Sequence, residues 1–189
     1  MNKTIALAIA FSTFSVAAIA APETFNIEPT HTYPRFEYTH FGYSNQQQRF
    51  DKTSGKLVID RAARTGSVDV TIDATSVNTG FALFNQHIQS ADFFDTAKYP
   101  VITFKSSKVK FDGDKPVAVE GDLTIKGVTK PVTLTVTHFH SMPHPMLKKD
   151  AIGANAVTKV KRSEFNMGKN VPYVSDEVTL SIAVEAVKE

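Results

Sequence analysis

Apolar and polar residues change places at almost every step along most of this chain. That two-residue rhythm restricts it to strands with one apolar and one wet face. Val68, Val70 and Ile72 alternate with Asp69, Thr71 and Asp73. Ile102 and Phe104 alternate with Thr103 and Lys105, and Val109 and Phe111 with Lys108 and Lys110. Val117 and Val119, then Leu123 and Ile125, alternate with Glu120, Thr124 and Lys126. Val132, Leu134 and Val136 alternate with threonines, and Val178, Leu180, Ile182 and Val184 with Thr179, Ser181, Ala183 and Glu185. Further strands are expected near 33–41, 47–60 and 152–161, with a short one at 25–28.

Turn residues punctuate these segments. Asp112-Gly113-Asp114 separates two of them, and Lys126-Gly127 opens the connection that runs to Pro131. The connections are too short for the helices that parallel strands need. About eight main antiparallel strands, each with one apolar face, close naturally into a barrel that leaves no free edge. A sandwich of the same strands is the competing arrangement. One segment, 79–98, departs from the rhythm. Phe81, Phe84 and Ile88 have helical spacing, which predicts a short helix over 82–89 followed by an irregular turn through Phe93-Phe94. Such a segment could cap one end of a barrel. No repeat, linker or low-complexity tract divides the chain.

The N-terminus reads as a targeting segment. Lys3 precedes an uncharged, mostly apolar run from Ile5 to Ala20 that ends in Ala18-Ile19-Ala20, with Pro22 just beyond. This is the pattern of a cleavable signal peptide. Cleavage is expected after Ala20, with Ala21 the alternative, which leaves 21–189 as a single domain exported to the periplasm or a similar compartment. There is no cysteine, so neither a disulfide nor a lipid-modified cysteine is available. A net charge of +2 provides no concentrated basic face for nucleic acid.

Candidate chemistry is sparse. His138 and His140 share a strand face, with His144 shortly after. Imidazoles so spaced suit zinc or copper, but neither cysteine nor a nearby carboxylate completes a ligand set, and no metal site is assigned. Asp92 and Asp95 flank Phe93-Phe94 and read as turn or helix caps rather than an acid–base pair. Lys108 and Lys110, like Lys159 and Lys161, alternate with apolar residues and read as the outer face of strands. No nucleophile elbow, phosphate loop or dinucleotide fingerprint is present. An eight-stranded barrel can be filled by side chains or can hold one small ligand. With 14 phenylalanines the interior can be either. Ala154 and Ala156, alternate residues on one strand, hint at free volume.

Four stretches carry a resemblance. They are Pro29-Thr30-His31-Thr32 leading to Thr39-His40-Phe41-Gly42-Tyr43-Ser44; Gln89-Ser90-Ala91-Asp92-Phe93-Phe94-Asp95-Thr96-Ala97-Lys98-Tyr99-Pro100; Gly121-Asp122-Leu123-Thr124-Ile125-Lys126-Gly127-Val128-Thr129-Lys130-Pro131-Val132; and Asp176-Glu177-Val178. Together they resemble the YceI-like family of secreted polyisoprenoid-binding proteins, in the family's order and over nearly all of 21–189. The resemblance implies an extended lipocalin-like barrel whose interior takes a long isoprenoid or acyl chain, including that of an isoprenoid quinone. It also implies that His31 and His40 make structural or rim contacts. Phe84-Asn85-Gln86-His87 stands where the family often carries an Arg-Asp pair, which favours a neutral head group over a pyrophosphate.

Alternation and resemblance together place a ligand-contacting set on the interior and mouth. It comprises Phe36, Tyr38 and His40; Val70 and Ile72; Phe84, Ile88, Phe93 and Phe94; Ile102 and Phe104; Leu123, Leu134 and Val136; and Ala154, Ala156, Leu180 and Ile182. The function expected is non-catalytic: a lipid-binding protein for carriage, storage or scavenging, with long-chain lipid as its partner and transient contact with a membrane surface. The alternatives are an enzyme acting on such a lipid, for which only the histidines offer reactive groups, and an interaction protein with a filled core.

Overall fold

The computed structural model describes residues 21–189, so the signal peptide assigned to 1–20 lies outside the described residues. The first six strands lie in pairs along three interrupted runs. Glu23–Ile27 (β1) and Arg35–His40 (β2) form one run, Ser44–Phe50 (β3) and Thr53–Asp60 (β4) the next, and Thr65–Asp73 (β5) and Val77–Asn78 (β6) the third. A short helix, Ala82–Ile88 (α1), follows. Five long strands complete the chain: Val101–Asp112 (β7), Lys115–Ile125 (β8), Val128–Pro143 (β9), Asp150–Lys161 (β10) and Glu177–Lys188 (β11).

β1 pairs with β4 while β2 pairs with β3, and β4 pairs with β5 while β3 pairs with β6. Each interrupted run therefore behaves as one bent strand. The result is eight antiparallel strands, each beside its neighbour in sequence, continuing from β5 through β7, β8, β9 and β10 to β11. The last strand then returns to the first run: Phe25 lies opposite Lys188 on β1, and Glu37 opposite Thr179 on β2. This is the closed eight-stranded barrel that the alternation predicts; closure pairs β1 and β2 with β11, and the sheet order ends at β6, which covers only Arg49 and Phe50 of β3.

The local differences from the sequence reading have physical causes. The strand expected over 47–60 bends at Asp51-Lys52, where Asp51 N–H donates to Ser76 O and Asp73 N–H donates to Lys52 O. The strand expected over 33–41 ends at His40, because Phe41 and Gly42 both take positive φ, 51° and 71°, in the three-residue turn 41–43 that closes the hairpin to β3. Val117 does not share the inner face with Val119. It is the extra residue of a β-bulge between the pairs Lys110–Ala118 and Phe111–Pro116, so Pro116 turns inward and Val117 is exposed. Helix α1 stops at Ile88, and Phe81 precedes it in extended conformation, its ring in solvent.

The barrel has two unlike ends. At one end lie α1, the Lys126-Gly127 turn and the connection 162–176. At the other lie the turns at 61–64 and 113–114 and the loop 144–149. Two apolar clusters correspond to them. A large cluster includes Phe36, Phe50, Phe94 and Phe165, and a small one gathers Phe25, Ile59, Ile152 and Ala186.

Candidate ligand cavity

The inward side chains do not meet in the middle of the barrel. They enclose a cavity of about 330 Å³ that runs from Phe36, Phe50 and Phe94 at the capped end to Phe111, Phe139 and Ile152 near the other. Val70, Leu134, Val136, Leu180 and Ile182 all line it, and all remain only half-buried although they point inward. In a filled core such side chains would be fully enclosed, since interiors pack to crystal density. Here their free surface faces the cavity. The volume falls within the roughly 300–1,000 Å³ of small-molecule sites. The walls are long: a twelve-residue strand such as β7 measures roughly 40 Å at about 3.3 Å per residue.

Every member of the interior and mouth set lies on this wall. Phe36, Tyr38 and His40 come from β2, Val70 and Ile72 from β5, and Ile102 and Phe104 from β7. Leu123 comes from β8, Leu134 and Val136 from β9, Ala154 and Ala156 from β10, and Leu180 and Ile182 from β11. Phe84 and Ile88 of α1, with Phe93 and Phe94 after it, form the cap. The sequence reading missed Val68, Val109, Phe111, Phe139, Val160 and Val184, which line the cavity as well. Three bulges hid part of this set. Ser107, Val117 and Thr137 are each one residue too many for the partner strand, and each reverses the inward parity beyond it. Carrying the alternation across the parity change from Phe104 to Val109, and from Val136 to Phe139, would have found Val109, Phe111 and Phe139, while Val68, Val160 and Val184 continue the unbroken alternation of their own strands.

Glycine makes room for one wall residue. A Cβ on Gly121 would lie 2.6 Å from Phe104 Cζ and 2.6 Å from Lys105 O, so only glycine lets that ring lie across the neighbouring strand.

Polar groups collect at the capped end. Exposed His40, His87 and Asn170 stand on the cavity rim. The His87 ring stacks on Phe84 and meets Phe93 edge-on, with centroids 6.0 and 5.0 Å away. Tyr38 lies half-buried below, and burial raises its phenol pKa against the opposing effects of a Gln48 hydrogen bond and the Arg162 charge, so it remains neutral.

Arg162 is the other site residue that alternation did not reveal. It follows Lys159 and Lys161, which are exposed, yet it is buried itself. Its guanidinium donates to Ser175 O and Val174 O, each at 2.8 Å, and to Met167 O. Burial pulls its pKa below the ordinary arginine value, against the charge of Asp176. Burial raises the Asp176 carboxyl, but two hydrogen bonds from Ser163 and the Arg162 charge outweigh it and hold the group below its usual range. Arg162 thus ties the 162–176 connection to the barrel mouth.

The other candidates fall outside the cavity. His138 and His140 sit exposed on the outer face of β9. His144 lies in the following loop, where its Nδ1 accepts from the Met146 and Leu147 N–H groups. Asp92 pairs with Lys169 instead of capping a turn, and Asp95 adopts a positive φ of 48°. Lys108 and Lys110 face solvent.

A closed, extended antiparallel barrel around an apolar cavity, with a short helix over one end, defines a lipocalin-like binding fold. A model of the YceI-like domain matches residues 25–186, and the chain belongs to the YceI-like family. Protein YceI of Escherichia coli O157:H7 is 40% identical over 174 residues, covering 92% of this chain and 90% of that protein. The crystal structure of Burkholderia cenocepacia BcnA superimposes with a TM-score of 0.71 at 28% identity, covering 85% of this chain and 99% of that one. A polyisoprenoid binding domain from Saccharophagus degradans, implicated in plant cell wall breakdown, shares the fold with a TM-score of 0.66 at 19% identity, covering 87% and 98% of the two chains.

Proposed function

We propose that this protein is exported by removal of residues 1–20 and acts in the periplasm as a non-catalytic binding protein. It encloses the long apolar chain of a polyisoprenoid, such as an isoprenoid quinone, for carriage, storage or scavenging. The observation that carries this reading is the half-buried inner wall of Val70, Leu134, Val136, Leu180 and Ile182 around a continuous apolar cavity. Family membership supports it, as does the shared fold with a domain described as polyisoprenoid-binding.

The mechanism is desolvation. Each buried methylene is worth about 0.8 kcal/mol against water, so a chain of many carbons is held firmly from solution. A bilayer interior is as apolar as the barrel, so transfer between the two costs little and favours exchange. Exchange would use the capped end, where Phe41, Tyr43, Phe81, Leu83 and Tyr173 are exposed and suit transient contact with a membrane surface. The polar rim of His40, His87 and Asn170, with the Tyr38 phenol beneath it, would receive a neutral oxygen-bearing head group.

Native mass spectrometry and organic extraction of protein purified from its natural source test the reading. The expected result is one long-chain isoprenoid lipid per barrel. Protein that is folded and free of lipid, and that takes up none from vesicles containing isoprenoid quinone, would refute it.

A further inference from the structure

Where the first and last strands meet, the two sides of the seam differ in length. Between the pairs Ile27–Ala186 and Arg35–Ser181, β11 spends residues 182–185 while the opposite side spends 28–34. The surplus loops outward. Thr32, 1% exposed, fixes its base: its hydroxyl donates to Glu185 O at 3.3 Å and accepts from Glu185 N–H at 3.1 Å. Glu28 N–H also donates to Glu185 O, at 2.9 Å.

This scaffold brings three ligand-type side chains together. Glu28 Oε1 accepts from the Thr30 N–H at 3.0 Å and the Thr30 hydroxyl at 2.6 Å, which orients the carboxylate and leaves Oε2 pointing at His31. His31 Nδ1 lies 2.7 Å from Glu28 Oε2 and 4.0 Å from Glu185 Oε2. One ligand atom from each residue lies within 4.8 Å of the others, and no other group of three or more His, Cys, Asp or Glu side chains meets that spacing among the described residues.

We propose that Glu28, His31 and Glu185 form a binding site for a divalent transition metal of the zinc type, clasping the surplus loop to the last strand. A tetrahedral ion with bonds of 2.0–2.1 Å sets its ligand atoms about 3.3 Å apart. The 2.7 and 4.0 Å separations bracket that value, so small rotations of the side chains suffice. One imidazole nitrogen with two carboxylate oxygens suits zinc better than calcium, which takes oxygen alone, and better than the soft ions that want thiolate. The Glu185 and His31 side chains are 53% and 67% exposed, which leaves an entry path and a fourth position for water. The Thr30 and Thr32 bonds supply the outer support that holds metal ligands in place. The site is independent of what fills the barrel, lying on the outer side of the seam.

Zinc titrated calorimetrically into chelator-stripped protein tests the assignment. One equivalent should bind, and Glu185→Gln and His31→Gln should each weaken it by at least about tenfold. His140→Ala should leave it unchanged. Both altered residues are exposed, and circular dichroism checks that the variants fold. Zinc should raise the melting temperature of the parent protein but not of Glu185→Gln. X-ray absorption at the zinc edge should show a single imidazole with oxygen neighbours. No saturable binding, affinity unchanged from the parent in both seam variants, or a shell containing two or more imidazoles would overturn the proposal.

Discussion

The two ends of the barrel are closed in different ways. The far end is shut by strand side chains alone. Phe25 is fully buried and Ala186 is 1% exposed, and they pack with Ile59 and Ile152, each from a different strand. The capped end is shut by pieces added to the strands: α1, the Phe93-Phe94 turn and the 162–176 connection. Polar bonds join these pieces. Lys126 Nζ donates to Ala91 O at 2.7 Å and Asn166 O at 2.9 Å, Lys169 pairs with Asp92, and Arg162 holds three carbonyls. Packed strands open only with the whole fold, whereas loops held by a few polar bonds open locally at smaller cost. On the proposed function, the contrast puts stability at the far end and ligand passage at the capped end.

The largest effect should come from Phe25→Ala. Removing a fully buried ring costs about 3–5 kcal/mol, read as a lower midpoint in urea, while lipid exchange in the surviving folded protein stays slow. Arg162→Leu should come next. It leaves three inward carbonyls without donors, at about 1–3 kcal/mol for a buried group so orphaned, and it should speed lipid exchange and hydrogen exchange across 163–176. If Phe25→Ala speeds exchange more than Arg162→Leu does, the roles of the two ends are reversed.

Leu134→Trp tests the space between the ends. In a tight core, added bulk costs about 1–3 kcal/mol. In this barrel the ring has the cavity to enter, so the lipid-free protein should melt close to the parent while bound lipid, measured by mass spectrometry, is lost. Thr135→Trp, on the outer face, should change neither.

A smaller effect belongs to the seam. Burial raises the Glu28 carboxyl, but the Thr30 hydrogen bonds and His31 bring it down to about 2 from an ordinary value of 4.5. Its ionised form is therefore favoured by folding. That stabilisation is present above pH 4.5 and is lost as pH falls toward 2. Glu28→Gln should flatten this part of the curve in acid melts. Asp92→Asn should be the mildest change, leaving the melting temperature where it is and detectable only as faster lipid release, because the Lys169 pair is exposed.

Much of this arrangement is legible in the sequence because alternation is a strict rule: Leu134 and Val136 must share a face, and so must Leu180 and Ile182. The rule is local, however, and fails wherever a strand carries one residue more than its partner. Val117 was misplaced for that reason, and Phe139 escaped notice behind Thr137. Arg162 was hidden differently. Its burial depends on carbonyls of Met167, Val174 and Ser175, supplied by a connection with no periodic pattern. Glu28, His31 and Glu185 lie at opposite ends of the chain, and only closure of the barrel brings them together.

That closure also sets the timing of assembly. Thr32 and Glu185 are 153 residues apart in sequence, whereas every other strand pairing joins segments adjacent along the chain. Loop entropy makes so distant a contact late and slow to form. Until it does, the sheet is an open, curled ribbon with two raw edges and an apolar face turned to water. The nascent protein is thus most vulnerable to misassembly in the interval between completing its eighth strand and docking it against its first.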